Sequence, residues 1–292
     1  MESTSIPIQY MEESVLLGTI KKVTDLPENV DLTYQEKIEK VEEILLKEDQ
    51  LEIPVQHFFF EGMYIRQIVI PKGTLCTSTY HKRGQFDIMA SGEMSVLTEE
   101  GIVRIKAPYY AVSNSGLKRL GYAHTDVLWV DIRAMDNIGV EKAEKLLYTT
   151  KYKELLEHKA KTSKEDFTLL LEEYGISAET AREQTENKAD RVRIDLEKYE
   201  VHIADSDIEG KGVWPNKVFK SGDIIGPAKL GDYRTQLGRY TNHSNYPNAE
   251  MIMQDGDIFL VATQTIEKVE IVTDYRISMA LVGIKEKELC LV

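Results

Sequence analysis

The spacing of apolar and polar residues changes along the chain and predicts a different kind of structure in each part. Residues 33–49 carry apolar residues at helical spacing between charged ones, which predicts one amphipathic helix through Ile38, Val41, Ile44 and Leu45. From residue 51 to about 135, short β-branched and aromatic runs are separated by turn signals rich in Gly and Pro. Such a pattern is typical of an antiparallel barrel or sandwich.

The next part, residues 137–190, contains no proline and is rich in Glu, Lys, Ala and Leu, so we expect it to be helical. The capping box Thr162–Glu165 predicts the start of one helix, and Gly175 predicts its end. Ser177 is expected to cap a second helix. From residue 191 onward the alternation of β-strands and turns returns.

These patterns predict a mainly β chain with a helical connector, of the α+β class. The expected parts are an N-terminal segment with the amphipathic helix (1–50), an antiparallel β-barrel (51–136), the helical connector (137–190) and a compact β domain that includes the C-terminal tail (191–292).

Composition and charge then narrow the classes of function. The chain has 292 residues, 42% of them hydrophobic and 29% charged, which is the balance of a globular protein. Its formal net charge of −13 opposes binding to phosphate backbones, so nucleic acid is not expected as a direct ligand. Cys76 and Cys290 are too few for a disulfide framework and favour a reducing compartment. The N-terminus lacks a signal-peptide pattern and no apolar run is long enough for a bilayer, so we expect a cytoplasmic protein without membrane contact.

Residues 51–136 resemble a cupin, specifically a small viral-type cupin-like barrel. The resemblance rests on the segment "PKGTLCTSTYHKRGQFDIMASGEMSV", in which Gly73, His81 and Gly92 match the first cupin motif. The positions of the other metal ligands hold Thr79 and Gln85. The second motif keeps Gly101 and Pro108 without a histidine.

One imidazole is too few to hold a divalent ion that normally needs at least three protein ligands. Neither His57 nor His124 lies at a spacing that completes a site, and His81 is also interpreted as a hydrogen-bonded residue at the barrel mouth. We therefore expect no metal. The barrel is then expected to serve binding or assembly, with a symmetric homo-oligomer formed through its open edge strands.

The last part of the chain contains three segments of interest, in this order: "EGKGVW" (209–214), "RYTNHSNYPN" (239–248) and "VEIVTDY" (269–275). In this order they resemble the three signatures of a SET domain, the fold of many protein lysine methyltransferases. The resemblance covers about eighty residues, from 199 to 277, and implies a compact SET-like β-fold.

The resemblance also implies roles for individual residues. The expected S-adenosylmethionine-binding residues are Gly210, Gly212, Trp214, Asn242 and His243. Tyr275 matches the tyrosine that lines the lysine channel and would orient the amine during methyl transfer. A structural alternative stays open at each place. Where the chain crosses itself in the interior, its backbone N–H and C=O groups need hydrogen-bond partners. Asn242, Ser244 and Asn248 would supply these without any ligand. Tyr275 would then be an aromatic residue of the core.

Two hypotheses of function follow. One is an S-adenosylmethionine-dependent methyltransferase that acts on a lysine-bearing protein, with the cupin-like part for targeting or oligomerisation. The other is a non-catalytic structural component of a phage particle, found in the virion rather than free in the host cytoplasm. The segment before the Asn-His motif is shorter than in most SET enzymes, and Asn245 replaces the usual cysteine. Both departures from the family pattern weaken the catalytic hypothesis.

Overall fold

The structure, a computed structural model, describes residues 8–10, 18, 32–47, 49–99 and 101–277. The chain divides into two compact units, Met1–Leu155 and Leu156–Val292. The tail beyond residue 277, with Cys290, lies outside the described residues. Among the helices described, none has both the length and the apolar character needed to cross a membrane.

The helices are α1 (Tyr34–Leu45), α2 (Val140–Leu147), α3 (Tyr152–Glu173), α4 (Ala178–Glu186) and α5 (Gln236–Tyr240), with a short 3-10 turn at Glu197–Tyr199. The predicted amphipathic helix is confirmed as α1. Thr33 and Glu36 form a capping box at its start, and Ile38, Val41 and Leu45 are buried. Ile44 is 39% exposed, at the edge of the apolar face.

The connector is helical as predicted, but one helix start was wrong. Thr162 lies in the middle of α3, where its hydroxyl donates to the carbonyl of His158 at 2.9 Å rather than capping a new helix. The hydroxyl group can bond to the preceding turn, so a Ser/Thr pair need not begin a helix. The end near Gly175 and the cap at Ser177, whose hydroxyl accepts from the N–H of Thr180, are confirmed.

The first unit contains strands β1 (Ile8–Tyr10), β2 (Val55–Phe60), β3 (Met63–Ile70), β4 (Thr74–Thr77), β5 (Tyr80–His81), β6 (Gln85–Ser91), β7 (Glu93–Thr98), β8 (Gly101–Lys106), β9 (Tyr109–Ser113), β10 (Leu120–Ala123), β11 (Val127–Ala134) and β12 (Tyr148–Thr149). Sheet 1 has the order β1-β4-β10-β7-β8, and sheet 2 has the order β2-β3-β11-β6-β9. Neighbouring strands in both sheets are antiparallel.

The expected antiparallel β-barrel is therefore corrected to two five-stranded sheets that no strand pairing joins among the described residues. The chain switches sheets at sharp bends. At Gly92, between β6 in sheet 2 and β7 in sheet 1, φ is +96° and a Cβ would lie 2.3 Å from the carbonyl oxygen of Asp126. Such a bend needs glycine, and it turns the chain from one layer to the other instead of continuing the ladder.

The core of the first unit lies between the two sheets. Ile68 and Trp129 of sheet 2 pack there with Cys76 and Met94 of sheet 1. The other side of sheet 1 is covered by α1, whose buried residues pack on Leu75, Leu97, Leu120 and Tyr122. Strands β4, β10 and β7 of sheet 1 are thus covered on both sides.

The second unit contains β13 (Val201–Asp205), β14 (Lys211–Pro215), β15 (Ile224–Leu230), β16 (Tyr233–Arg234), β17 (Asn242–His243), β18 (Ala249–Gln254), β19 (Asp257–Ala262) and β20 (Val272–Thr273). They form a four-stranded sheet β16-β15-β19-β18 and two-stranded sheets β13-β14 and β17-β20. All strands except the short β16, β17 and β20 contribute residues to one core, among them Val213, Met251 and Leu260. The mainly β class is confirmed for the chain.

Candidate functional site

The second and third motifs of the last part run side by side as the parallel pair β17 and β20. Asn248 joins them, because its Oδ1 accepts from the N–H of Val272 at 2.8 Å and its Nδ2 donates to the carbonyl of Glu270 at 2.8 Å. The N–H of Ser244 donates to the carbonyl of Thr273 at 2.9 Å. The polar side chains of this segment therefore satisfy the backbone of a buried crossing.

The amide of Asn242 is surrounded by acceptors from the protein itself. Its Nδ2 lies 2.8 Å from Oε1 of Glu270 and 3.0 Å from Oγ of Ser206. It also lies 3.1 Å from the carbonyl oxygens of Glu209 and Lys211, at the Gly-x-Gly turn. The structure thus brings the first and second motifs together through this amide, which holds the turn in place.

The Glu270 carboxylate fills the space beside Gly212. A Cβ at residue 212 would lie 2.2 Å from Oε1 of Glu270, so a glycine is needed here to admit the carboxylate. Ser206 donates to the second oxygen at 2.7 Å, and burial raises the pKa of Glu270. Gly210, with φ of +52°, faces open space. Two of the predicted cofactor contacts, Gly212 and Asn242, therefore meet an internal carboxylate.

Trp214 lies on the same strand, β14, as Gly212 and is half-buried. Its indole N–H is buried and has no hydrogen-bond partner within the described part of the chain. An unpaired buried donor of this kind costs about 1–3 kcal/mol. Among the described residues, Trp214 differs in this from Asn242 and His243, whose polar side-chain atoms bond within the protein.

His243 and Tyr275 are direct neighbours, with ring centroids 5.3 Å apart. Nδ1 of His243 accepts from the backbone N–H of Tyr275 at 3.1 Å, so Nε2 carries the proton and donates to Asp166 at 2.9 Å. The Tyr275 hydroxyl donates to the carbonyl of Thr241 at 2.8 Å, and burial raises the pKa of this phenol to about 12. Both polar side chains are engaged inside the unit.

Residues of α3 that were not predicted from the sequence support this pair. Asp166 accepts from Arg276 at 2.8 Å and 3.2 Å, and these hydrogen bonds lower its pKa. Phe167 packs against the Tyr275 ring, with centroids 5.9 Å apart. Ser163 lies 2.9 Å from the hydroxyl of Ser244. These contacts span 77 to 110 residues of sequence, and no local pattern could have paired them.

The first unit has a separate, partly open cavity of about 80 Å³ between its sheets. Its apolar lining includes Ile68, Ile70, Met94 and Val96. Residues with polar groups also line it: Arg66, Thr77, Ser78, Thr79, His81, Arg119, Trp129, Asp131 and Tyr148. Two of the residues at the cupin-like motif, Thr79 and His81, thus face this cavity.

The two arginines that line the cavity are both paired with carboxylates. Arg119 pairs with the fully buried Asp87 at 2.6 Å, and Arg66 lies 3.6 Å from Asp131. Burial lowers the pKa of His81 well below its usual value, and the nearby arginines lower it further. Nδ1 of this neutral imidazole is buried without a hydrogen-bond partner among the described residues.

Gln85, at a position where cupins carry a ligand, donates to the Asp87 carboxylate instead. Among the residues that the structure describes, no group of three or more His, Cys, Asp or Glu is arranged to hold a metal ion. The expectation of a metal-free unit stays a prediction.

The stability of the first unit should depend on pH through Asp131. Burial raises the pKa of this carboxyl to about 6, against 3.8 for the ordinary group. The folded state binds this proton more tightly than the unfolded state does. The protonated carboxyl therefore contributes to the free energy of unfolding below about pH 4, and this contribution is lost as the pH rises toward 6. Asp131→Asn should remove this loss, so the difference in unfolding free energy between variant and wild type should change by roughly 2–3 kcal/mol from pH 4 to 6.5. Urea unfolding at a series of pH values measures it, and a constant difference would contradict the assignment.

Comparison with known proteins gives little beyond the fold. No family model matches the chain, and no curated protein matches it. Similar solved structures include an acetylacetone dioxygenase from Acinetobacter johnsonii (18% identity, 28% of this chain and 59% of that one, TM-score 0.25). An RmlC-like cupin with a double-stranded β-helix fold from Methanocaldococcus jannaschii has 20% identity over 30% of this chain and 84% of that one (TM-score 0.25). A cupin domain from Bordetella pertussis has 15% identity over 30% and 96% (TM-score 0.25).

The chain spans about three fifths of the length of the dioxygenase. At this level of similarity the comparison carries no argument about activity.

Proposed function

We propose that the chain is a non-catalytic assembly protein whose second unit uses its SET-like motifs as a structural brace. The observation that supports the proposal is the Glu270 carboxylate. It lies against Gly212 and accepts from Ser206 and Asn242, where the SET resemblance places the cofactor. The expected setting is a particle with several subunits, for which the sequence resemblance suggests a phage virion.

Displacing the carboxylate would be costly. A ligand in this space would have to separate Glu270 from two donors, and each buried donor left without a partner costs about 1–3 kcal/mol. Catalysis of methyl transfer depends on holding the lysine amine in line with the methyl group. The Tyr275 hydroxyl already donates to Thr241 and would have to change partner to orient that amine.

A lysine methyltransferase that uses S-adenosylmethionine remains the second candidate, and two observations favour it. All three motifs meet within one unit through Asn242 and the β17-β20 pair. The indole N–H of Trp214 is buried without a partner in the described residues and would suit a ligand acceptor.

Calorimetric titration of the full chain with S-adenosylmethionine separates the two candidates. An assembly protein should show no binding up to about 1 mM, a concentration at which even weak specific binding is detectable. Saturable binding together with transfer of labelled methyl groups to lysine in a host lysate would overturn the proposal.

Asn242→Ala tests the brace directly. If the amide holds the Gly-x-Gly turn, the variant should lose about 1–3 kcal/mol of stability because the acceptors around its two N–H groups, Glu270 among them, lose their donor. Thermal melting followed by circular dichroism measures this loss. Asn216→Ala is the matched control, since its exposed amide contacts only the His202 ring among described contacts. An Asn242 variant as stable as this control would contradict the brace.

A further inference from the structure

Sheet 2 presents an apolar surface on the side that faces away from the core. Along each strand, alternate residues such as Ile68, Met89 and Trp129 point into the core, so their neighbours point outward. The outward residues, which we call the outer face of sheet 2, are Gln56, Phe58, Phe60, Met63, Ile65, Gln67, Val69, Phe86, Ile88, Ala90, Tyr110, Val112, Leu128, Val130, Ile132 and Ala134.

Strand register makes this face continuous. Phe58 is opposite Ile65, Ile65 is opposite Ile132, and Ile132 is opposite Phe86. Phe86 in turn is opposite Val112. One row of apolar side chains therefore crosses all five strands, and cross-strand neighbours of this kind lie about 4.5–5.5 Å apart.

No residue of this face is charged. Its two amides bond to each other, since Nε2 of Gln67 donates to Oε1 of Gln56. Large apolar side chains are well exposed at both edges: Phe60 is 58% exposed, Tyr110 71% and Val112 76%. Contiguous apolar surface of this extent on a folded chain marks an interaction site.

The two sheets differ in how they are covered. The outer face of sheet 1 packs against the buried side of α1. In the described part of the first unit, no corresponding helix packs on the outer face of sheet 2, and no apolar cluster forms there.

We propose that two copies of this chain pack together through the outer face of sheet 2, related by a twofold axis. Charge selects a second copy as the occupant. With a net charge of −13, two copies repel each other over most of their surfaces, whereas this face brings no like charges together. A flat sheet face without charge is complementary to itself, and two such faces pack about 10 Å apart.

The size of the face is adequate for a stable dimer. Five strands at about 4.8 Å spacing and seven residues of about 3.3 Å cover roughly 500 Å² in projection. The protruding aromatic side chains raise the accessible area toward the roughly 800 Å² per partner of a standard interface. Pairing through faces replaces the edge-strand association expected from the sequence.

Sedimentation velocity on the full chain at micromolar concentration tests the proposal. The wild type should have twice the mass of the chain, and added salt should strengthen the dimer because it screens the repulsion between copies. Tyr110→Glu/Val112→Glu on β9 and Phe58→Glu on β2 should each weaken the dimer about a hundredfold or more, because they bury carboxylates in an apolar interface.

The variants at opposite edges separate face packing from edge pairing. Dimer loss at one edge only, or a dimer that survives both changes, would overturn the proposal, as would a monomeric wild type. Met253→Glu, at a 56% exposed position in the second unit, is the matched control and should remain dimeric. The substituted positions are exposed, so each variant should keep the wild-type circular dichroism spectrum. The mass measured by sedimentation does not depend on whether the chain binds S-adenosylmethionine, so the two experiments fail independently.

Discussion

Arg119→Met should destabilise the first unit by about 3–5 kcal/mol, the usual cost of leaving one partner of a buried ion pair without the other. Asp87 is fully buried, and Arg119 lies 2.6 Å from it. Methionine keeps much of the volume beside the Trp129 ring, over which the guanidinium lies at 5.3 Å, and removes the charge. Asp87 also contacts the neutral Ser113 and Gln85, and it lies close enough to Asp131 to raise the pKa of that buried carboxyl.

Urea unfolding measures this loss, and two comparisons identify its cause. Arg104→Met breaks a surface pair with Glu93 in the same unit and should cost no more than about 1 kcal/mol. Adding Asp87→Asn to Arg119→Met should restore part of the lost stability, because it removes the unpaired charge. If Arg119→Met and Arg104→Met were equally stable, the buried ion pair would contribute no more to the free energy of unfolding than the surface pair does, which would contradict the prediction.

Gly238→Ala should destabilise the second unit by about 3 kcal/mol or more and disturb the Asn-His motif. A Cβ at residue 238 would lie 2.1 Å from the carbonyl oxygen of Ala228 and 2.9 Å from its carbonyl carbon. Both atoms belong to the backbone of β15, so α5 would have to move away. Thr235 anchors α5 by donating to the carbonyl of Pro227 at 2.6 Å, and Asn242 follows two residues after the helix.

Thermal melting and a hydrogen-exchange measurement at the motif should both report this change. Gly231→Ala is the control, because residue 231 has φ of +53° but no atom within 4 Å of a Cβ. It should cost about 1–2 kcal/mol from backbone strain alone. If Gly238→Ala had the same melting temperature as Gly231→Ala, α5 would have room to shift, which would contradict the prediction.

The elements that depend on local pattern were predicted well from the sequence. The amphipathic helix and the β-rich stretch from 51 to 135 follow from the spacing of neighbouring residues. The start predicted at Thr162 failed because a hydroxyl group can bond within a helix as well as cap one. The choice between a closed barrel and two sheets depended on bends such as Gly92, whose effect is set by a distant carbonyl.

The candidate site was located by sequence, but its chemistry was decided by tertiary contacts. The motifs placed Gly212, Asn242, His243 and Tyr275 near one another, and the structure brings them together. Glu270 lies inside the third motif and Asp166 in the connector, and neither was predicted to belong to the site. Folding brings Glu270 against Asn242 and Asp166 against His243. A side chain's type and spacing follow from the chain, whereas its hydrogen-bond partner follows from which distant segments pack together. For the same reason the alternation in sheet 2 predicted strands, while the absence of a helix over its outer face emerged only from the packing of the described residues.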